Sequence, residues 1–402
     1  MEKYRLGNGI MVLFQKNSSK SVAVEVMVKA GSNYESRNIL GISHFLEHML
    51  FEGTKKRPDS MIIANEIEKY GAEFNAYTST NRTAFFIKII NKHFEKALDI
   101  LSDMVSNPLF REDKIAKEKK VILREIDMVT DDPRQHQWIL FQRSLFEKHP
   151  AKNPTYGTIR TVNALSRKKL LDYYRQYYIP NNMIISVAGN IKDVKNKIQK
   201  YFGSLNSGNI PKRKVIKEPL NKKINTLVEK RKTQNSYIVL GYKAPVRTDK
   251  DSYSLDVITS ILGRGQSGWV FDEIRNKHGL SYQTGVQHDS EDDYGTFAVF
   301  AGLDRKNIPK AKSIILKQFK RLQKVTKKEL DEAKTYIEGH YALELEDNFH
   351  YADYMSFWEL IKDAGLADSY IKKIREITVN DVKKAAKKYL NKNYTFVAIE
   401  QK

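Results

Sequence analysis

The chain has 402 residues, 41% of them hydrophobic, which is enough for two or more domains with substantial cores. Lys and Arg number 69 against 48 Asp and Glu, a net charge of +21 that favours acidic partners; the lysines are scattered without an aromatic and basic RNA-binding signature, so no nucleic-acid partner is expected. There is no cysteine, which excludes disulfides, thiolate metal sites and cysteine nucleophiles and leaves any metal to His, Asp or Glu.

The N-terminal "MEKYRLGNGIMVLFQKN" lacks a basic head followed by an unbroken apolar stretch, and no apolar run approaches the roughly 18 residues of a membrane span. The expectation is a cytoplasmic protein without membrane contact, or a periplasmic one if a signal peptide has been removed. Residues 4–30 alternate as strands, with Gly7-Asn8-Gly9 as the turn between "YRL" and "IMVLF" and with "VAVEVMV" following. A helix is predicted next at "SHFLEHMLFEGT". "EFNAYTSTNRTAFFIKII" reads as a hairpin, "FEKALDILSDMV" and "DKIAKEKKVILREIDMV" as helices, and "MIISVAG" as a strand ending near Gly189.

Residues 206–223 are rich in Gly, Ser, Pro and Lys and break both periodicities, so they are the predicted linker between a domain at 1–205 and a second at 224–402. Beyond the linker the pattern starts again. "YYIPNNMIISVAG" from Tyr177 is echoed by "KYLNKNYTFVAIE" from Lys388, an offset of 211, and "REDKIAKEKKVILREI" from Arg111 by "TKKELDEAKTYIEGHY" from Thr326, an offset of 215. The fold class predicted is α+β, with two halves sharing one plan.

In "HFLEH", His44, Glu47 and His48 fall at spacings of three and four, so they share one helix face while Phe45, Leu46, Met49 and Leu50 point elsewhere. Two imidazoles four apart can reach one metal ion, with the Glu placed near a water on that ion. Chance gives roughly 0.2 such His pairs at this composition, about tenfold fewer with the Glu, which points to a metal site without deciding against a solvated helix face. A hydrolytic zinc site needs a third ligand, and Glu125 is the best candidate: its neighbours at three and four residues, Val121, Ile122, Met128 and Val129, are all apolar and offer it no cation. Glu118, two turns earlier on nearly the same face, has Lys114 four residues before it, and an ion pair or a supporting role behind the metal ligands suits it equally.

These residues resemble a known family. "HFLEH" is the inverted H-x-x-E-H zinc motif, and Glu125 follows His48 by 77 positions (125 − 48), as in the pitrilysin-like (inverzincin, M16) metallopeptidases. The flanking "AGSNYES", "GISHFLEHMLFEGT", "FNAYTSTNRTAFF" and "VILREI" look like that family, as does "LGRGQSGWVFDEIRNKHGLSY", in which Arg275 and Tyr282 are similar to its substrate-binding Arg and Tyr.

The length resembles the short bacterial and archaeal branch. The likeness implies two similar αβ domains of LuxS/metallohydrolase-like type, with mixed antiparallel sheets packed by helices. It also implies a clam-shell homodimer with composite active sites, and one Zn2+ per chain on His44, His48 and Glu125. Glu47 would be the general base, Tyr282 and Arg275 would assist at the reacting carbonyl and hold substrate backbone, and the strand around Asn75 and Ala76 would add the substrate as an extra strand. The expected substrate is a peptide or unfolded polypeptide cut within an enclosed chamber. A specific processing peptidase and a non-catalytic structural member are the alternatives.

Gly263, Gly265 and Gly268 spell G-x-G-x-x-G, but "YSLDVITSIL" before them has helical spacing, whereas a dinucleotide-binding turn follows a strand. Setting Gly53 against Gly263, an offset of 210, places Ser254, Val257 and Ile258 where His44, Glu47 and His48 stand, so the second half is expected to bind no metal. His93, His136, His149, His278, His288, His340 and His350 lack a ligand at useful spacing and are read as structural or exposed, and Trp138, Trp269 and Trp358 as core or interface.

Overall fold

Strand Ser21–Val28 has apolar residues at nearly every position, the signature of a strand covered on both faces. In the computed structural model, which describes residues 1–211, 213–281 and 283–402, it is β3 of a mixed sheet. The predicted hairpins are present as β1 (Glu2–Arg5) with β2 (Met11–Lys16), and β4 (Glu73–Thr78) with β5 (Thr83–Ile90). Between them lie α1 (Ile42–Phe51) and α2 (Ser60–Glu68). After them come α3 (Phe94–Ser106), α4 (Glu112–Asp131), α5 (Pro133–Leu145), α6 (Ile159–Asn163), α7 (Arg167–Tyr177), β6 (Met183–Gly189) and α8 (Val194–Phe202). The sheet order is β1-β2-β6-β3-β5-β4, which leaves β4 at an edge.

The second half contains β7 (Asn225–Arg231), β8 (Ser236–Ala244), α9 (Lys250–Gly263), α10 (Trp269–Phe271), β9 (Gln283–Ser290), β10 (Gly295–Leu303) and α11 (Ile308–Arg321). It closes with α12 (Lys327–Glu344), α13 (Asn348–Ile361), α14 (Leu366–Glu376), α15 (Val379–Tyr389) and β11 (Thr395–Gln401). Its sheet runs β7-β11-β8-β10-β9, which is the first sheet without β1: β2 and β6 pair in parallel as do β7 and β11, and every other pair is antiparallel in both. The repeat expected from the sequence is therefore structural. Met183 of β6 and Thr395 of β11 are 212 apart (395 − 183), and the starts of α4 and α12 are 215 apart (327 − 112).

The two compact units are not the contiguous halves 1–205 and 224–402. Met128–Lys152, which contains α5, belongs to the second unit, and Glu344–Ala367, which contains α13, belongs to the first. Each sheet buries an apolar helix face supplied by the other half of the sequence, and helical periodicity alone cannot say which sheet a helix covers. In the first unit, Val22, Val24 and Val26 of β3 face the main core, while Ala23 and Met27 face Ala352 and Met355 of α13. In the second unit, Leu140 and Phe141 of α5 pack with Val239, Val397 and Ile399. The predicted linker 206–223 carries no helix or strand among its described residues, and the boundary between units falls inside it.

Two features hold the start and end of α1. Gly41 precedes it at φ 91, a left-handed conformation, and a Cβ there would meet the Tyr156 carbonyl oxygen at 2.5 Å. Just beyond the helix, Thr54 donates to Asp103 (2.5 Å) and Arg57, 1% exposed, pairs with Asp103 (2.8 Å), Asp99 (2.6 Å) and Glu66 (2.9 Å). Arg57→Ala would leave the buried Asp103 without its cation, so it should lower unfolding free energy by about 3 kcal/mol in urea titration; an unchanged midpoint would show that the network contributes nothing.

Candidate active site

Helix α1 carries His44, Glu47 and His48, and burial of Phe45, Leu46, Met49 and Leu50 on its other faces fixes its rotation. Each of those side chains contributes roughly 1.5–3 kcal/mol on burial. The first amides of a helix need acceptors, and here Glu35 supplies them: its carboxylate accepts from Gly41 N (2.7 Å) and Ser43 N (2.9 Å). Burial raises the Glu35 carboxyl to about 7, against the pull of those two amides.

Helix α4 lies along α1 through a series of polar contacts. Lys114 and Lys117 reach Glu52 at 2.9 and 3.1 Å, and Glu118, 8% exposed, meets His48 Nδ1 at 3.1 Å. Two turns on, a Glu125 carboxylate oxygen stands 3.5 Å from His48 Nε2 and 3.8 Å from His44 Nε2. One face of α4 therefore presents Lys114, Glu118 and Glu125 to α1 in turn. Glu118 meets both His48 and, at 3.5 Å, Lys117, while Lys114 pairs with Glu52 and Asp59 instead. The apolar stripe around Glu125 is less buried than its composition suggests: Ile122 is fully buried, but Met128 is 68% exposed and the Glu125 side chain 36%.

His44, His48 and Glu125 form the group of potential metal ligands found among the described residues, each offering an atom within 4.8 Å of the others. Tetrahedral zinc with bonds of 2.0–2.1 Å separates its ligand atoms by about 3.3 Å, so spacings of 3.5 and 3.8 Å suit it closely. Two imidazoles and one carboxylate are also the donor set of a hydrolytic zinc centre with one position left for water or substrate. The electrostatics agree. Burial, with the charge of His48, pulls the His44 imidazole down to about 3 and keeps it in the neutral ligating form. Burial acts to lower His48 too, but its hydrogen bond to the Glu118 carboxylate and the charges of Glu125 and Glu47 outweigh it, so this point favours positive charge. Burial likewise acts to raise Glu118, and the hydrogen bond and charge of His48 bring it below its ordinary value.

Glu47 accepts a 2.5 Å hydrogen bond from Thr78, the last residue of edge strand β4. Burial raises its carboxyl, moving it toward the range useful for a base, while the Thr78 bond acts in the opposite sense. On the same strand Asn75 is exposed and its side chain accepts from Ala76 N at 2.9 Å. Glu35, Thr78 and Glu52 carry no signal of their own in the sequence, although they lie inside the quoted "AGSNYES", "FNAYTSTNRTAFF" and "GISHFLEHMLFEGT". Arg275 belongs to the second unit, where its guanidinium lies 5.0 Å from the Phe271 ring centre. Tyr282 lies outside the described residues. Gly263 ends α9, and a Cβ there would come within 2.8 Å of Val286, so packing against β9 accounts for the first glycine of the G-x-G-x-x-G run. His149 and His288 are structural as expected, paired with Asp293 (3.1 Å) and Asp256 (2.7 Å).

The profile of the insulinase family, Peptidase M16, matches residues 11–159, and that of the Peptidase M16 inactive domain matches residues 164–337. The chain belongs to peptidase family M16. An uncharacterized zinc protease of Bacillus subtilis, YmxG, is 31% identical over 350 residues, covering 86% of this chain and 85% of that protein. An uncharacterized zinc protease of Rickettsia bellii is 31% identical over 344 residues, with 84% and 82% covered. The crystal structure of a protease from Helicobacter pylori superposes with a TM-score of 0.93 at 25% identity over 99% of both chains. The M16 inactive-domain match agrees with α9, the counterpart of α1, where Ser254, Val257 and Ile258 are buried in place of the three polar residues.

Glu118→Gln removes the charge that orients His48 and should weaken zinc affinity about 10- to 100-fold in competition with a chromophoric chelator. An affinity within twofold of the parent would show that His48 needs no such support.

Proposed function

We propose that this chain is a zinc-dependent endopeptidase acting on peptides or unfolded polypeptides. The observation that carries the reading is the convergence of His44 Nε2, His48 Nε2 and a Glu125 oxygen one helical turn from Glu47. A zinc ion held by those three groups would supply the Lewis acidity that peptide hydrolysis requires. Glu47, its carboxylate aimed by Thr78, takes the proton from the attacking water and returns it to the leaving amine. Strand β4, paired only with β5 among the described residues, offers its free edge around Asn75 and Ala76 to an extended substrate, whose backbone would pair as an added strand beside Glu47. Such pairing reads main chain more than side chain, which suits unfolded substrates of varied sequence. Arg275 and Tyr282 are proposed to hold and polarise the substrate in a homodimer with composite sites around an enclosed chamber, as in the family this chain resembles.

Glu47→Gln preserves shape but cannot accept the proton, so it should retain zinc and lose about 10² to 10⁴-fold in peptide hydrolysis. Cleavage near the parent rate would remove Glu47 from the mechanism. Mixing that variant with Tyr282→Phe tests the composite arrangement, because a mixed dimer then holds one site with both intact parts. Activity should return as subunits exchange. Exchange confirmed by mass without any return would place these residues within one chain.

A further inference from the structure

The face of the first sheet turned away from α1 holds a buried carboxyl that the proposed chemistry does not use. Glu25 lies within β3 between Val24 and Val26, which face the main core, so it points with Ala23 and Met27 toward α13. It is fully buried, and neither of its oxygens has a hydrogen-bond partner of good geometry among the described residues. An ionised carboxylate is costly to hold there. From α13 it faces Asp353 and the hydroxyl of Ser356, from β4 Tyr77, and from the β4–β5 turn Arg82. Its neighbours across the ladders, Phe86 of β5 and Ser186 of β6, do not titrate. The other charges on this sheet face are paired away from it, Lys88 with Asp347 (2.6 Å) and Lys3 with Glu359 (2.7 Å) and Asp363 (2.6 Å). Burial pushes the Glu25 carboxyl well above the ordinary carboxylate range and the charge of Asp353 adds to that, with Ser356 and the charge of Arg82 acting in the opposite sense.

Tyr77 ties these carboxyls to the edge strand. Along β4 the side chains alternate: Phe74 and Ala76 join the core beside α1 and Thr78 meets Glu47, while Tyr77 packs on the opposite face with Ala84 and Met355. The Tyr77 hydroxyl donates to Asp353 and accepts from Arg82 Nε at 3.2 Å. The Arg82 guanidinium lies 5.7 Å from the Tyr77 ring centre and 5.1 Å from that of Phe357 on α13. Helix α13 is therefore bound to the back of the strand whose front aims Glu47.

We propose that Glu25 and Asp353, sharing one proton, position edge strand β4 for substrate through Tyr77, and that alkaline loss of this proton loosens α13 and the strand together. The inference rests on β4 as the strand that receives substrate. Docked α13 retains a proton that the undocked helix releases in the ordinary carboxylate range, so docking weakens as pH rises. Tyr77 then moves with Asp353, and Thr78 beside it loses its aim. Hydrogen exchange of the full chain without substrate, from about pH 6 to about pH 9, should show protection of β4 and α13 falling together. Glu25→Gln and Glu25→Met each remove the titrating group, so either variant should keep that protection when compared with the parent at equal pH. With dye-quenched casein as substrate, Tyr77→Phe should raise KM about tenfold at neutral pH with zinc content unchanged. The parent's KM should rise with pH while that of Glu25→Gln stays level. Protection of β4 that is level with pH in the parent, or that falls as steeply in both Glu25 variants, would overturn the proposal; so would a KM for Tyr77→Phe within about twofold of the parent. Exchange is read with no substrate present, so a failure of the peptidase reading shows in the casein assay alone.

Discussion

The registration of α4 on α1 is the contact on which the site depends. His48 and Glu125 are 77 positions apart, and they meet because the same α4 face has already met α1 at Glu52 and His48. Exposed ion pairs each contribute little, but here Glu52 and Glu118 are 9% and 8% exposed. Removing either from its partners would strand a nearly buried charge. The apolar residues Ile115, Ile122 and Ile126 supply the burial that holds α4 in place, and the polar series selects one register among those that burial alone would allow. With α1 also capped by Glu35 and followed by the Arg57 network, the imidazoles are oriented before any metal arrives, so little ordering entropy opposes binding.

The two units show one topology put to different uses. Both sheets have the same strand order and directions, and each is covered by a helix from the other half of the sequence, α13 on the first and α5 on the second. In α9 the residues matching His44, Glu47 and His48 are small or apolar and buried, so that helix packs with the face on which α1 carries its polar trio. A duplicated fold keeps its strand pairing, which many main-chain hydrogen bonds enforce, more readily than it keeps any single side chain.

Much of this was legible in the sequence because it is local. The i, i+3, i+4 spacing of His44, Glu47 and His48 fixes a shared helix face, and the apolar neighbours of Glu125 marked it as a carboxylate without a local cation. The repeat was visible as recurring strand and helix periodicity at offsets of 211 and 215. What escaped was non-local. No periodicity tells that α5 and α13 pack on the sheet of the opposite half, that Glu35 caps a helix six residues away, or that Thr78 reaches Glu47 across 31 positions. Glu118 lay between the two cases: its helix face was readable, but its choice of His48 over Lys114 is decided by where α4 rests.

X-ray absorption at the zinc edge, combined with metal counting on the purified chain and its Glu125→Gln variant, tests the central claim most directly. The account predicts one zinc per chain, bound by two imidazoles and oxygen at about 2.0–2.1 Å, with occupancy lost on dialysis of the variant. Zinc bound without imidazole, or full occupancy in Glu125→Gln, would contradict it.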